Sequence, residues 1–145
     1  MNLDSYPLTT DIHHEAFEFF SEGPKGRIKK VVLFQKIGVD FYNLAFGDWD
    51  QENKKINDKA RSNNADREMV LSTIAVTIMD FMIQHPEAMV FCKGSTTART
   101  RMYQMALFAN WKAVKKQFRI DGFSEGEWRI VKPDSNYEAF VISAR

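Results

Sequence analysis

The segment Gly94-Ser95-Thr96-Thr97 lies between a short apolar run, Ala88 to Cys92, and a stretch with helical spacing that follows it. A strand that bends through Gly-Ser-Thr-Thr into a helix leaves backbone N–H groups free at the helix start. The helix dipole favours negative charge at the same point, so the unit can hold an anion. Ser95 and Thr96 can add hydroxyl donors; the same residues also suit a plain N-cap. At 100° per residue Arg99 projects with Met102, Tyr103 and Ala106, whereas Arg101, Lys112, Lys115 and Lys116 project to the opposite, solvated side. A guanidinium on the inward side must find a carboxylate, carbonyls or a bound anion. Arg67 has the same placement among Val70, Leu71 and Ile74. Two readings stay open: a bound anion, or internal pairing with acids such as Asp48, Asp66 or Asp80.

Other chemistry is excluded by spacing. Asp48, Asp50 and Glu52 begin like a calcium loop, but its sixth position is Asn53 instead of Gly and its twelfth is Lys59 instead of Glu. Adjacent His13 and His14 on an extended strand would point to opposite faces and could not share a metal. His85, before Pro86, suits a helix C-terminus. Cys92 sits in an apolar run as a core residue with an inert thiol, and a lone cysteine forms no intrachain disulfide. No catalytic Ser/His/Asp, Cys/His or paired-carboxylate arrangement is identifiable, and no cofactor is assigned.

These residues need elements to position them. Glu15 to Phe20, a turn at Glu22 to Gly26, and Ile28 to Phe34 read as a hairpin, with Val39 to Phe46 as a third meander strand. Gly47 to Asn64 is polar and reads as a long surface loop. The periodicity predicts a helix from Asp66 to about Gln84, stopped by Pro86, then a central strand at Ala88 to Cys92 and a second long helix to about Gln117. Phe118 to Phe123, Trp128 to Val131 and Tyr137 to Ile142 are closing strands. The expected fold is α+β: a mixed, mostly antiparallel sheet with two long helices, in the order β-β-β-α-β-α-β-β-β, as a single domain over residues 1–145.

With 44% apolar and 13% aromatic residues, the chain can build one ordinary core. It shows neither an apolar run long enough to span a membrane nor a secretory signal, which predicts a cytoplasmic protein with no membrane partner. Net charge is +1, yet residues 93–119 carry seven Lys/Arg and no Asp/Glu, while residues 1–92 carry ten and fourteen. Arg101, Lys112, Lys115 and Lys116 form a modest basic face without any nucleic-acid-binding motif, so nucleic acid is not the expected partner. Val76, Met79 and Ile83 widen the apolar arc of the first helix, which favours a homodimer or a covering C-terminal strand.

The strand-helix-strand-helix order after three meander strands resembles the central and C-terminal part of the GNAT acetyltransferases, over most of the chain. In that family a Gln/Arg-x-x-Gly-x-Gly/Ala segment before the central helix holds the pyrophosphate of acetyl-CoA. The corresponding stretch is Arg61-Ser62-Asn63-Asn64-Ala65-Asp66. Arg61 matches and Asn64 can adopt the left-handed backbone of the glycine, but Asp66 departs, and its carboxylate is expected to weaken acetyl-CoA binding. Thr96 and Tyr103 have the spacing of the family's later Asn and Tyr. Asn63-Asn64-x-Asp66, Val70-Leu71-x-Thr73, Pro86, Gly94-Ser95-Thr96 and Ala98-Arg99-x-Arg101-x-Tyr103 also resemble a family of small uncharacterised bacterial proteins. That second resemblance implies no mechanism; the GNAT resemblance, with the two helix starts, implies an anionic ligand, nucleotide or CoA-like, held at the helix N-termini by Arg61, Asn64, Ser95, Thr96, Arg99 and Tyr103. The competing expectation is a non-catalytic interaction protein, such as one member of a toxin-antitoxin or defence pair.

Overall fold

Burial alternates along the first long strand, with Phe17, Phe19 and Ser21 inside and Ala16, Glu18 and Phe20 partly exposed, and Phe41 to Phe46 repeat the pattern. In a computed structural model that describes residues 4–57 and 63–145, nine strands form one sheet. They are β1 (Thr9–Thr10), β2 (Ala16–Gly23), β3 (Gly26–Gly38), β4 (Phe41–Asp50), β5 (Lys55–Asn57), β6 (Met89–Cys92), β7 (Phe118–Ser124), β8 (Glu127–Ile130) and β9 (Ala139–Ala144). Three helices accompany them: α1 (Arg67–Gln84), α2 (Thr97–Ala109) and α3 (Trp111–Gln117). The sheet runs β1-β2-β3-β4-β6-β9-β7-β8, with β5 paired to β4. It is mixed and mostly antiparallel; β4 and β6 are parallel.

Val32, Phe34, Leu44 and Phe46 of the sheet bury against Leu71, Ile74, Ile78 and Phe81 of α1 and Tyr103, Ala106 and Leu107 of α2. Phe34 and Phe81 stack at 4.2 Å. Among the described residues, no helix is long and apolar enough to cross a membrane.

Three expectations change. The expected second long helix is two helices, because Asn110 leaves the helical region at φ −121°, ψ 32°. Its backbone carbonyl accepts from Ala113 and Val114 N–H to start α3. The part of the expected loop from Gly47 to Asn57 continues β4 to Asp50 and returns as β5. The element order accordingly gains β1, β5 and α3 over the one expected. His13 and His14 lie in the turn between β1 and β2, off any strand, and His14 Nδ1 meets Asp80 Oδ1 at 2.7 Å. Of the wide apolar arc on α1, Met79 is buried while Ile83 is 61% exposed.

Candidate functional site

The edge of β4 that faces away from β3 is shared. At its start Phe41–Asn43 pair with Met89–Phe91 of β6, and at its end Asp48–Asp50 pair with Lys55–Asn57 of β5. Between them, no described strand pairs with Leu44 to Gly47 on that edge. β6 meanwhile ends at Cys92, and Lys93-Gly94-Ser95 carries the chain away into α2. The parallel pair therefore diverges, and a cleft opens at its C-terminal end, the location that ligands favour in sheets with parallel strands.

A cavity of about 600 Å³ fills this cleft. β4 lines it from both faces of the sheet, Asn43 and Ala45 on one and Leu44 and Phe46 on the other; Trp49, Lys54, Lys55 and Ile56 lie on the β5 side, and Lys93, Ser95, Arg99 and Tyr103 on the α2 side. The described lining holds four Lys/Arg and no Asp/Glu. Sequence reasoning missed Lys54, Lys55 and Lys93. The only local signal for the first two is the tight turn they belong to, where Lys54 takes the left-handed φ of 51°.

A second cavity of about 410 Å³ lies between the starts of α1 and α2. Asn63, Asn64, Asp66 and Arg67 line one side, Thr96, Ala98, Met102 and Met105 the other. Phe46 and Arg99 border both cavities. Arg99 lies with its guanidinium 5.5 Å from the Phe46 ring centre, a cation–π distance.

The residues singled out in the sequence thus sort into groups. Ser95, Arg99 and Tyr103 line the larger cavity, and Asn64, Thr96 and Arg99 the smaller. Arg61 lies outside the described residues. The Thr96 hydroxyl caps α2 by accepting from Arg99 N–H at 3.2 Å. Asn64 is buried, and its amide is committed to the β2–β3 hairpin: Nδ2 donates to Ser21 Oγ and Gly26 O, and Oδ1 accepts from Lys25 N–H at 2.7 Å. Among the described residues of this stretch, the left-handed one is Ala65, at φ 59°.

Asp66 Oδ2 accepts from the Tyr6 hydroxyl at 2.6 Å and from Ser21 Oγ at 2.5 Å. Burial, then the Asp66 hydrogen bond, raises the Tyr6 phenol above its usual range. Asp48 pairs with Lys30, and Asp80 with His14. Asp48, Asp66 and Asp80 thus each have a partner of their own among the described residues. Arg67 itself is exposed, and its Nη2 reaches Met105 Sδ at 2.7 Å.

No cluster of three or more His, Cys, Asp or Glu able to hold a metal occurs among the described residues. Asp50 spends both carboxylate oxygens within its own turn, on Glu52 N–H, Asn53 N–H and the Asn53 amide. No curated protein and no solved structure matches the chain. A family model does match, over residues 2–145, and the chain belongs to that family of unknown function, DUF6934.

Proposed function

We propose that the cleft between β4 and β6 binds a polyanionic small molecule, nucleotide or CoA-like. The observation that carries this reading is the lining of the larger cavity, four cations with no carboxylate among the described residues. Lys54 and Lys93, exposed at the border of the concavity, raise the local potential for an anion. Trp49 adds a partly exposed ring, and the volume suits a small ligand. The start of α2, with no acidic residue in its first turn, adds the positive end of its dipole.

A GNAT-like arrangement gains support from the parallel pair diverging beside two helix starts. The objection to acetyl-CoA that rests on Asp66 does not bear on this cleft, because Asp66 borders the smaller cavity and not the larger. The competing reading, a non-catalytic interaction protein, is favoured by the sheet face opposite the helices, where Met89 and Trp128 are exposed.

Thermal melting at matched ionic strength with pyrophosphate, ATP and coenzyme A tests the ligand reading. A ligand that binds only the folded chain raises the melting temperature, by about 2.7 kcal/mol of stability at a hundred times its Kd. Lys93→Glu, at an exposed position, should keep the fold and lose most of that gain. A parent protein indifferent to every polyanion, or a variant that gains as much as the parent, would sink the reading.

A further inference from the structure

The sheet ends in two edges, β1 and β8. β1 is two residues long, whereas all four residues of β8, Glu-Trp-Arg-Ile, are exposed. β8 follows the two-residue turn Glu125-Gly126, whose φ values of 52° and 77° are those a type I′ hairpin requires. Just past β8, Val131 N–H donates to Ile120 O at 3.1 Å. Hydrogen bonding alternates along an antiparallel strand. Glu127 and Arg129 therefore also turn their backbone groups toward β7, while Trp128 and Ile130 turn theirs outward. β8 contains no proline or bulge, and its two charges, Glu127 and Arg129, are of opposite sign. On the sheet face opposite the helices, Trp128 lies 5.2 Å from Phe123 and 6.3 Å from Phe91, continuing an apolar row to the edge.

We propose that β8 pairs antiparallel with β8 of a second copy of this chain, about a two-fold axis at Trp128, joining the two sheets. The outward N–H and C=O of each Trp128 then bond to those of the other. This register sets Glu127 of each copy opposite Arg129 of the other, in the non-hydrogen-bonded positions where side chains come closest. Strand Glu-Trp-Arg is self-complementary under that axis, as an isologous interface demands. The neighbouring registers fail on charge: an axis at Arg129 opposes the two arginines, and an axis at Glu127 opposes the two glutamates. Arg129 Nη2 and Glu127 Oε2, 2.7 Å apart within one copy, exchange partners on association. The two Trp128 rings meet on the face that already carries Phe91 and Phe123, and extend that row across the axis.

Sedimentation equilibrium of the full chain tests the proposal, with melting curves to show that each variant folds. The parent should dimerise. Glu127→Arg sets arginine against arginine twice and should raise the dimer Kd about ten-fold or more. The double variant E127R/R129E restores opposite charges and should recover the dimer. Ile130→Pro, which removes an outward donor, should weaken it again. A parent that stays monomeric at its highest soluble concentration overturns the proposal. So does a dimer that Glu127→Arg leaves unchanged, since the copies would then meet elsewhere.

Discussion

Asn64 borders a cavity and also holds the fold together. Its three side-chain hydrogen bonds tie the approach to α1 onto the β2–β3 hairpin, and it is 2% exposed. Asn64→Ala strips a partner from Lys25 N–H and Gly26 O and should cost about 2 kcal/mol, since buried groups that lose a partner keep their desolvation penalty. Asn64→Asp should cost at least as much: it keeps an acceptor for Lys25 but turns a carboxylate oxygen toward the Gly26 carbonyl. Both variants should retain whatever stability polyanions add to the parent, because neither alters a cation of the cleft. Urea melts with and without pyrophosphate check this. Unchanged stability together with a lost pyrophosphate gain would make Asn64 a ligand contact.

At the scale of elements, the close approach of the strand-to-helix bend to α2 depends on Gly94. A Cβ there would stand 2.2 Å from Arg99 Cβ and 2.5 Å from Thr100 N. Gly94→Ala must therefore push the first turn of α2 away, at a cost of about 1–3 kcal/mol for overpacking, and should also reduce the polyanion gain because Arg99 moves with that turn. A melting temperature within a degree of the parent would show that the bend relaxes elsewhere. That bend, α1 and β6 were legible in the sequence because their signals are local: a helical stripe, an unbroken apolar run and a Gly-Ser-Thr-Thr turn. The break at Asn110 was hidden because Tyr103, Ala106 and Leu107 before it and Val114 after it keep helical spacing across it. The β4–β5 hairpin was hidden because Gly47 to Asn57 is rich in Asp, Asn and Lys and shows no apolar alternation, so its short local pairing reads as a polar loop. The cleft itself is a gap in pairing along one edge of β4, and registers between distant strands leave no local pattern. Lys54, Lys55 and Lys93 therefore looked like scattered surface charges.

For the molecule as a whole, β6 lies between β4 and β9 in the sheet order, and Cys92 at its end is 0% exposed. Burial raises the thiol well above its ordinary value of 9.0. Only the thiolate reacts, so the native protein should resist alkylation until the sheet around β6 opens. The rate of iodoacetamide labelling should rise with urea in step with unfolding followed by tryptophan fluorescence. The same burial sets a pH dependence. Below about 9 the folded and unfolded chains both hold the thiol proton, so Cys92 contributes no slope. Above it the unfolded chain releases the proton and the folded chain keeps it, so stability falls as pH rises, by about 1.4 kcal/mol per unit for this one group. In Cys92→Ala that contribution is gone, while the tyrosines and lysines that also titrate there are shared with the parent. The difference in stability between parent and variant should thus be flat below pH 9 and should shrink steadily above it, provided the parent is the more stable at neutral pH. A flat difference up to pH 10.5 would mean that Cys92 ionises within the native state, and fast labelling without urea would mean that the end of β6 opens without the rest of the sheet.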